Sequence, residues 1–183
     1  MDRRPADFDI CANGYRPPRD KSILLVVPCS ETKPYGDSRT HRYLMQQLEA
    51  DLGESCDRVH KVTLSGLYGP VPLEKEGEEP VLTYDFRLEA SHTEQVDLVA
   101  KRLATYIRRH HEQYEMCLGY ATSLPYRMAL ERAASMLQEE TQENGAVAVQ
   151  LQVLPTRPKV RRLTEFFRHH NVEELVSVLS RRA

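Results

Sequence analysis

The chain has 183 residues, which is long enough for one domain with a single continuous core. Apolar residues make up 40% of it and charged residues 28%, and these proportions exclude an intrinsically disordered chain. The formal net charge of -2 excludes a general attraction to nucleic acid, so a nucleic-acid partner would need a local basic patch.

The sequence predicts neither membrane association nor metal binding. Its apolar runs are far shorter than the roughly 20 residues that span a bilayer, and the polar N-terminus lacks the apolar core of a secretory signal. The four cysteines are scattered without a CxxC pair, which disfavours a disulfide framework and a structural zinc site. We therefore predict a cytoplasmic protein with reduced cysteines, no membrane contact, no metal and no other cofactor.

The first third of the chain predicts two strands with a helix between them. Residues 1–20 are predicted to form an irregular N-terminal arm, because prolines and glycines interrupt any periodicity. Residues 22–27 are a continuously apolar run, typical of a central strand covered on both faces. A helix over 41–52 with Thr40 as its N-cap follows, and then a strand over 59–64.

The rest of the chain continues this alternation. Three glycines and three prolines predict a long loop over 66–80, and residues 81–88 predict a short strand or extended segment. The remaining predictions are a helix over 93–110, a strand over 114–122, a helix over 123–140 capped by Ser123, a strand over 146–155, and a helix or broken helix pair over 163–182.

Alternating strands and helices predict an α/β fold with three layers, α/β/α. Helices would cover both faces of a mostly parallel sheet of about four strands, and residues 21–183 would form a single domain. Ligands of such sheets bind outside the carboxyl ends of the strands. The loops at 28–41, 66–72 and 119–126 leave that edge, so we expect the functional site there.

The loop PCSETKPYGDSRTH, residues 28–41, holds more reactive groups than a turn needs. Cys29 follows a strand and precedes a helix, where Lys33 and the helix N-terminus would both favour the nucleophilic thiolate. His41 could carry a proton, since the ordinary pKa of histidine is about 6.5. Hydroxyl groups that could orient a polar ligand come from Ser30, Tyr35, Ser38 and Thr40.

Each of these residues has an ordinary structural explanation when taken alone. A free cysteine beside a core strand is most often a small buried apolar residue, and a single histidine or lysine most often lies at the surface. The functional interpretation depends on the cluster, whose members share one loop at the ligand-binding edge. We therefore expect the sulfur of Cys29 and the imidazole of His41 to face one cleft.

A basic stretch near the C-terminus has two interpretations. Between residues 157 and 182, seven lysines and arginines stand against three glutamates. Such a stretch could bind phosphate groups, although a solvated helix face is the more ordinary outcome.

The loop motif resembles the signature of the archaeosine synthases, tRNA-modifying enzymes of archaea. Seven positions carry the resemblance in a fixed spacing: Pro28, Cys29, Lys33, Pro34, Tyr35, Ser38 and His41. Weaker agreement continues in the segments GLYGPVPLE and YDFRL, so the resemblance runs from the first strand through the helix over 93–110. It also implies a fold that has been likened to uracil-DNA glycosylase, in agreement with the α/β prediction.

The resemblance implies a substrate and a reaction. The substrate would be 7-cyano-7-deazaguanine in tRNA, and the reaction would add an amine from free lysine to its nitrile. Cys29 could add to the nitrile carbon to give a thioimidate, which the amine then displaces. His41 or Asp85 could carry the proton, while Lys33 and Tyr35 position the base or a phosphate.

The loop chemistry and the resemblance together give ten candidate site residues. The candidate catalytic residues are Cys29, Lys33, His41 and Asp85. The candidate substrate-binding residues are Ser30, Tyr35, Ser38, Gly66, Tyr68 and Tyr84.

This chain departs from the family pattern in its length. Archaeosine synthases are typically longer, with a transglycosylase-like region and an RNA-binding PUA domain. The chain could be one part of a split enzyme that takes tRNA binding from a partner with one of these regions, or equally a stand-alone relative. A free base, a nucleoside or modified DNA are alternative substrates. Two other functions stay open: a non-catalytic subunit that binds the deazapurine, or a base-processing glycosidase that uses Asp85 or Asp37.

Overall fold

The computed structural model describes residues 2–160 and 162–181 as one sheet flanked by helices. The strands are β1 (Ile23–Pro28), β2 (Val59–Ser65), β3 (Gly69–Pro72), β4 (Met116–Tyr120) and β5 (Leu151–Leu154). The α-helices are α1 (Arg39–Leu52), α2 (Glu79–Thr83), α3 (Thr93–His110), α4 (Leu124–Asn144), α5 (Leu163–Phe166) and α6 (His169–Ser180).

The sheet has the strand order β3-β2-β1-β4-β5 within the described residues. β2, β1, β4 and β5 run parallel, and β3 pairs antiparallel with β2 at one edge. The predicted three-layer α/β fold is therefore confirmed, with five strands where about four were predicted. Because β1 lies in the centre, its carboxyl end is flanked by the carboxyl ends of β2 and β4.

The apolar run of β1 is explained by two cores on opposite faces of the sheet. Leu24 and Val26 pack into a cluster with α3 and α4, while Leu25 and Val27 pack into a second cluster with α1 and α6. Successive side chains of a strand point to opposite faces, so a strand covered on both faces is apolar at every position.

Two segments between β2 and α3 differ from the prediction. The predicted loop over 66–80 contains strand β3, which starts at Gly69 with a φ of +82° and pairs with β2. The predicted strand or extended segment over 81–88 is instead the end of the short helix α2, followed by irregular chain. Pro80 is compatible with this helix because it lies in the first turn, where its missing N–H is not needed.

Other element boundaries shift by smaller amounts. α1 begins at Arg39 because Ser38, and not the predicted Thr40, is its N-cap and accepts a hydrogen bond from the His41 N–H at 3.2 Å. β5 covers only Leu151–Leu154 of the predicted ten residues. α3 has the predicted bounds, and the C-terminal segment is the predicted broken pair, α5 and α6.

The N-terminal arm packs onto the α3 side of the sheet. It contains two short 3-10 turns, and Phe8 and Ile10 are buried in the core. The Arg102 guanidinium donates to the carbonyls of Pro5, Phe8 and Tyr68, which holds the arm against α3. In the part of the chain described here, no helix combines the length and the apolar character that crossing a membrane requires.

Candidate active site

Cys29 lies at the carboxyl edge of the sheet, one residue beyond β1. Its backbone N–H donates to the carbonyl of Leu64 at 3.1 Å, so the chain stays paired with β2 past the end of the strand. The side chain is partly exposed. The segment 121–123 leaves the same edge and leads into α4, which brings the first turn of that helix to Cys29.

Tyr126 is the direct partner of the cysteine. Its hydroxyl oxygen lies 2.9 Å from the Cys29 sulfur. Burial raises the pKa of Tyr126, and the neighbouring Cys29 raises it further. The phenol therefore stays protonated at neutral pH and is available as a proton donor beside the sulfur.

Two more tyrosines form a buried aromatic wall near Cys29. The hydroxyls of Tyr35 and Tyr84 are 2.6 Å apart, and burial is the main cause that raises the pKa of both groups. Tyr68 packs edge-on against Tyr84 with 5.1 Å between ring centroids, and its hydroxyl donates to the carbonyl of Pro80 at 3.2 Å. The rings of this wall are buried, and the hydroxyls of Tyr35 and Tyr84 remain neutral.

Lys33 lies over this wall. Its ammonium is 3.7 Å from the centroid of the Tyr84 ring and donates to the Tyr84 carbonyl. Burial lowers the pKa of Lys33, while Cys29, Asp85 and Glu31 oppose that shift. Asp85 is exposed, and its negative charge contributes to the site by favouring the protonated form of Lys33.

His41 takes part in a different contact network from the one that was expected. Its Nε2 is 2.8 Å from the Pro28 carbonyl and its Nδ1 is 2.9 Å from the Lys61 ammonium. Burial first, and then the positive charge of Lys61, lowers the pKa of His41 to about 4. A neutral ring donates from Nε2 to the carbonyl and accepts at Nδ1 from the ammonium. Both nitrogens are occupied, so the expected shared cleft of Cys29 and His41 is not formed.

Lys61 belongs to a buried ion pair below the loop. Its ammonium lies 2.8 Å from Oε1 of Glu76, which also accepts from the Thr63 hydroxyl at 3.1 Å. The other carboxylate oxygen of Glu76 accepts from the Gly36 N–H at 3.0 Å. Lys61 and His41 also line a surface cavity of about 260 Å³ that does not include Cys29. This network fixes the middle of the 28–41 loop onto β2.

The remaining predicted residues have local roles in the structure. The Ser30 hydroxyl donates to the carbonyl of Thr32 at 2.8 Å, and the buried Ser38 caps α1. Gly66 adjoins Tyr126. The structure therefore brings Cys29, Lys33, Tyr35, Tyr84, Asp85 and Gly66 together, and it places Ser30, Ser38, His41 and Tyr68 in surrounding contacts.

Two residues of the site were missed by sequence reasoning. The only sequence signal for Tyr126 was its position in the loop at 119–126, the third loop at the carboxyl edge. In that position it looks like an ordinary residue in the first turn of a helix. Ser65 ends β2 and accepts hydrogen bonds from the N–H groups of Leu67 and Tyr68 at 3.2 and 3.1 Å. It also interacts with the hydroxyls of Tyr35 and Tyr84.

Gly66 is predicted to be intolerant of a methyl group because the site closes tightly around it. An added Cβ would lie 2.8 Å from the Leu88 Cβ and 3.1 Å from the Tyr126 hydroxyl. We expect Gly66→Ala to destabilise the protein by about 1–3 kcal/mol and to displace the Tyr126 hydroxyl from the sulfur. Urea unfolding measures the first effect.

Gly77→Ala is the matched control for this prediction. A Cβ at Gly77 meets nothing within 4 Å, so its unfolding midpoint should stay close to that of the parent chain. Equal midpoints for both variants would show that Gly66 is not confined as the structure indicates.

Comparison with known protein families adds an independent finding. Residues 8–151 match the family described as "Domain of unknown function (DUF5591)". The match covers every residue of the site described above.

Three named relatives are similar to this chain over part of their lengths. The archaeosine synthase subunit alpha of Thermococcus kodakarensis is 32% identical over 97 residues, which are 50% of this chain and 16% of the relative. The subunit alpha of Methanosarcina acetivorans is 32% identical over 67% of this chain and 19% of the relative. The archaeosine synthase of Haloferax volcanii is 27% identical over 81% of this chain and 25% of the relative. This chain thus corresponds to about a quarter or less of each relative.

A solved structure has a similar fold. The crystal structure of AF0587, a protein of unknown function, superimposes with a TM-score of 0.52 at 21% identity. The similarity covers 89% of this chain and 46% of that chain. At this identity the similarity supports the fold alone.

Proposed function

The chain belongs to the DUF5591 family and is related to the archaeosine synthases, and from this premise we propose that it is an enzyme or enzyme subunit of tRNA modification. Its reaction adds the amine of free lysine to the nitrile of 7-cyano-7-deazaguanine in tRNA. The observation that carries the proposal is the Cys29 sulfur at the carboxyl edge of the sheet, 2.9 Å from a neutral phenol.

The first step is addition of the Cys29 thiol across the nitrile. The thiolate sulfur forms a bond to the nitrile carbon, one C–N π bond breaks, and the nitrile nitrogen takes a proton. The Tyr126 hydroxyl is placed to deliver that proton and to take the thiol proton in exchange, so the phenol is unchanged overall. The product of this step is a thioimidate.

The second step is displacement of the sulfur by the amine. The amine nitrogen bonds to the same carbon, the C–S bond breaks, and the sulfur leaves with a proton that the amine loses. The product is an amidine and the enzyme is regenerated. The two steps sum to addition of an amine to a nitrile, so no oxidant or reductant is required.

The residues around the sulfur combine neutral phenol groups with one positive charge. Tyr35 and Tyr84 are buried, the Tyr84 ring lies under Lys33, and the half-buried Lys33 adds a positive charge within reach of the site. In this proposal Lys33 and Tyr35 position the base, and the carboxylate of Asp85 stabilises the protonated form of Lys33.

A partner protein is part of the proposed function. Because two of the relatives are named as subunits, we propose that a second protein with a PUA domain or a transglycosylase-like region takes part in tRNA binding. The chain described here would supply the nitrile chemistry.

A transfer assay tests the proposed function. The chain is incubated with tRNA that contains the cyano base and with labelled lysine, with and without a PUA-containing partner. We expect label on the tRNA that depends on this chain. No transfer in either mixture, with substrate tRNA verified by mass spectrometry, would overturn the proposal.

A further inference from the structure

A group of cations lies beside the candidate active site and has no part in the chemistry proposed above. The basic rim consists of Arg157, Lys159, Arg162 and Arg168, all of them exposed. Between residues 157 and 170 the sequence holds five lysines and arginines and one glutamate, in a chain with a net charge of -2. The positive charge is therefore concentrated here.

The basic rim lies at the same edge of the sheet as Cys29. It follows β5, which is parallel to β1 and separated from it by β4 alone. The registers pair Val26 with Gly119 and Tyr120 with Leu154, so β1 and β5 end at nearly the same level. Two strand spacings place the end of β5 about 10 Å from the end of β1.

Side chains of α4 and α1, which border the candidate active site, contact the segment 155–167 at both of its ends. The Arg127 guanidinium, next to the residue that contacts the sulfur, donates to the Pro155 carbonyl at 2.5 Å. At the far end, the Arg39 guanidinium lies 5.0 Å from the Phe167 ring centroid, and the Tyr43 hydroxyl donates to the Phe167 carbonyl at 3.0 Å. Arg39 is the first residue of α1, directly after the loop of Cys29.

Among the rim residues, Arg168 pairs with a carboxylate, whereas Arg157 and Arg162 do not within the described residues. Glu165 is buried, pairs with Arg168 at 3.0 Å and accepts from the Asn171 amide. Glu174 pairs with Thr156 through the backbone N–H at 3.0 Å. Within the described residues, no ion pair engages Arg157 or Arg162, so their guanidinium groups remain available.

Exposed apolar groups on the same segment argue against a merely solvated face. Leu163 is 71% exposed and Val160 is 38% exposed, and both lie between the cations. A solvated charged face gains nothing from such groups, whereas a binding surface does.

We propose that the basic rim binds the phosphodiester backbone of the RNA whose modified base reaches Cys29. Arginine and lysine side chains neutralise phosphates, and contacts of this kind fix the position of the nucleic acid without reading its sequence. The proposal rests on the proposed function, since it names the surface that presents the substrate to that site.

Charge reversal tests the proposal in the full chain. Binding of a fluorescent tRNA transcript is measured by anisotropy for the parent and for the triple variant Arg157→Glu/Lys159→Glu/Arg162→Glu, between about 50 and about 200 mM salt. We expect the variant to bind at least about tenfold more weakly. The slope of log K against the logarithm of the salt concentration should be less steep by about 2 to 3.

The control variant Arg16→Glu/Arg19→Glu/Lys101→Glu has the same change of net charge. Its three residues are exposed in the arm and on α3, away from the carboxyl edge. It should bind like the parent, and circular dichroism melting should show all three chains folded. Equal weakening of both variants would assign the effect to net charge and overturn the proposal, as would no weakening in either.

Two further results separate this proposal from the proposed function. A rim variant that loses transfer to tRNA but keeps transfer to the free cyano nucleoside supports both. Absence of transfer by the parent together with rim-dependent RNA binding overturns the function and keeps the surface. No binding of RNA by the parent, with rim-dependent binding of polyglutamate, would assign the rim to an acidic protein and overturn the RNA proposal.

Discussion

Replacing Cys29 with alanine is expected to reduce lysine transfer at least about a hundredfold while tRNA binding changes little. The reason is that in the proposed mechanism the sulfur forms and breaks the bond to the nitrile carbon, whereas Lys33 and the basic rim are proposed to bind the substrate. Cys29→Ser should also be inactive, because a serine hydroxyl beside Tyr126 remains protonated and is a far weaker nucleophile. Single-turnover transfer and anisotropy measure the two quantities separately.

Cys11→Ser is the matched control for this experiment. Cys11 is also partly exposed, but it lies in the N-terminal arm with its sulfur 4.0 Å from the Arg102 carbonyl. Its replacement should leave transfer unchanged. Parent-like transfer by Cys29→Ala would rule out the covalent mechanism, and base release that survives the replacement would favour a glycosidase. Binding without turnover in the parent chain would favour a non-catalytic subunit.

The second large effect is expected on stability, at the buried ion pair of Lys61 and Glu76. The two side chains are only 3% and 4% exposed, so Glu76→Gln leaves a buried ammonium without its counter-charge. Removing one partner of such a pair costs about 3–5 kcal/mol. We therefore expect the free energy of unfolding, measured in urea, to fall by that amount.

Two further variants distinguish an unpaired charge from lost packing. Lys61→Met/Glu76→Gln carries neither charge, and it should recover a large part of the loss. Glu78→Gln breaks the exposed pair with Lys75, whose atoms are 2.7 Å apart, and should cost less than about 1 kcal/mol. A double variant as unstable as Glu76→Gln would show that the carboxylate acts through Thr63 and Gly36 and not through Lys61.

The ion pair connects stability to the site. It holds the ring of His41 and the backbone at Gly36, and both belong to the loop that carries Cys29 and Lys33. The histidine of the sequence signature therefore contributes to the shape of the loop through hydrogen bonds at both ring nitrogens. With the pKa of this histidine lowered to about 4, its ring is neutral at physiological pH.

The layered α/β fold could be predicted from the sequence because its signals are local. β1 is apolar at every position since both of its faces are buried, and α3 carries an apolar stripe with the period of a helix. The segment from Gly69 to Pro72 lacked such a signal. Its pairing with β2 comes from contacts across the sheet, which glycine and proline content does not reveal.

The candidate site divides in the same way. The spacing from Pro28 to His41 by itself determined that a cysteine, a lysine and a tyrosine gather at the end of a central strand. Only the tertiary structure decided that Tyr126, 97 residues farther along the chain, contacts the sulfur, and that His41 turns to Lys61. The physical reason is that a strand end and a loop composition are encoded by neighbouring residues. The partner of a side chain, in contrast, is set by how α1 and α4 pack across the two faces of the sheet.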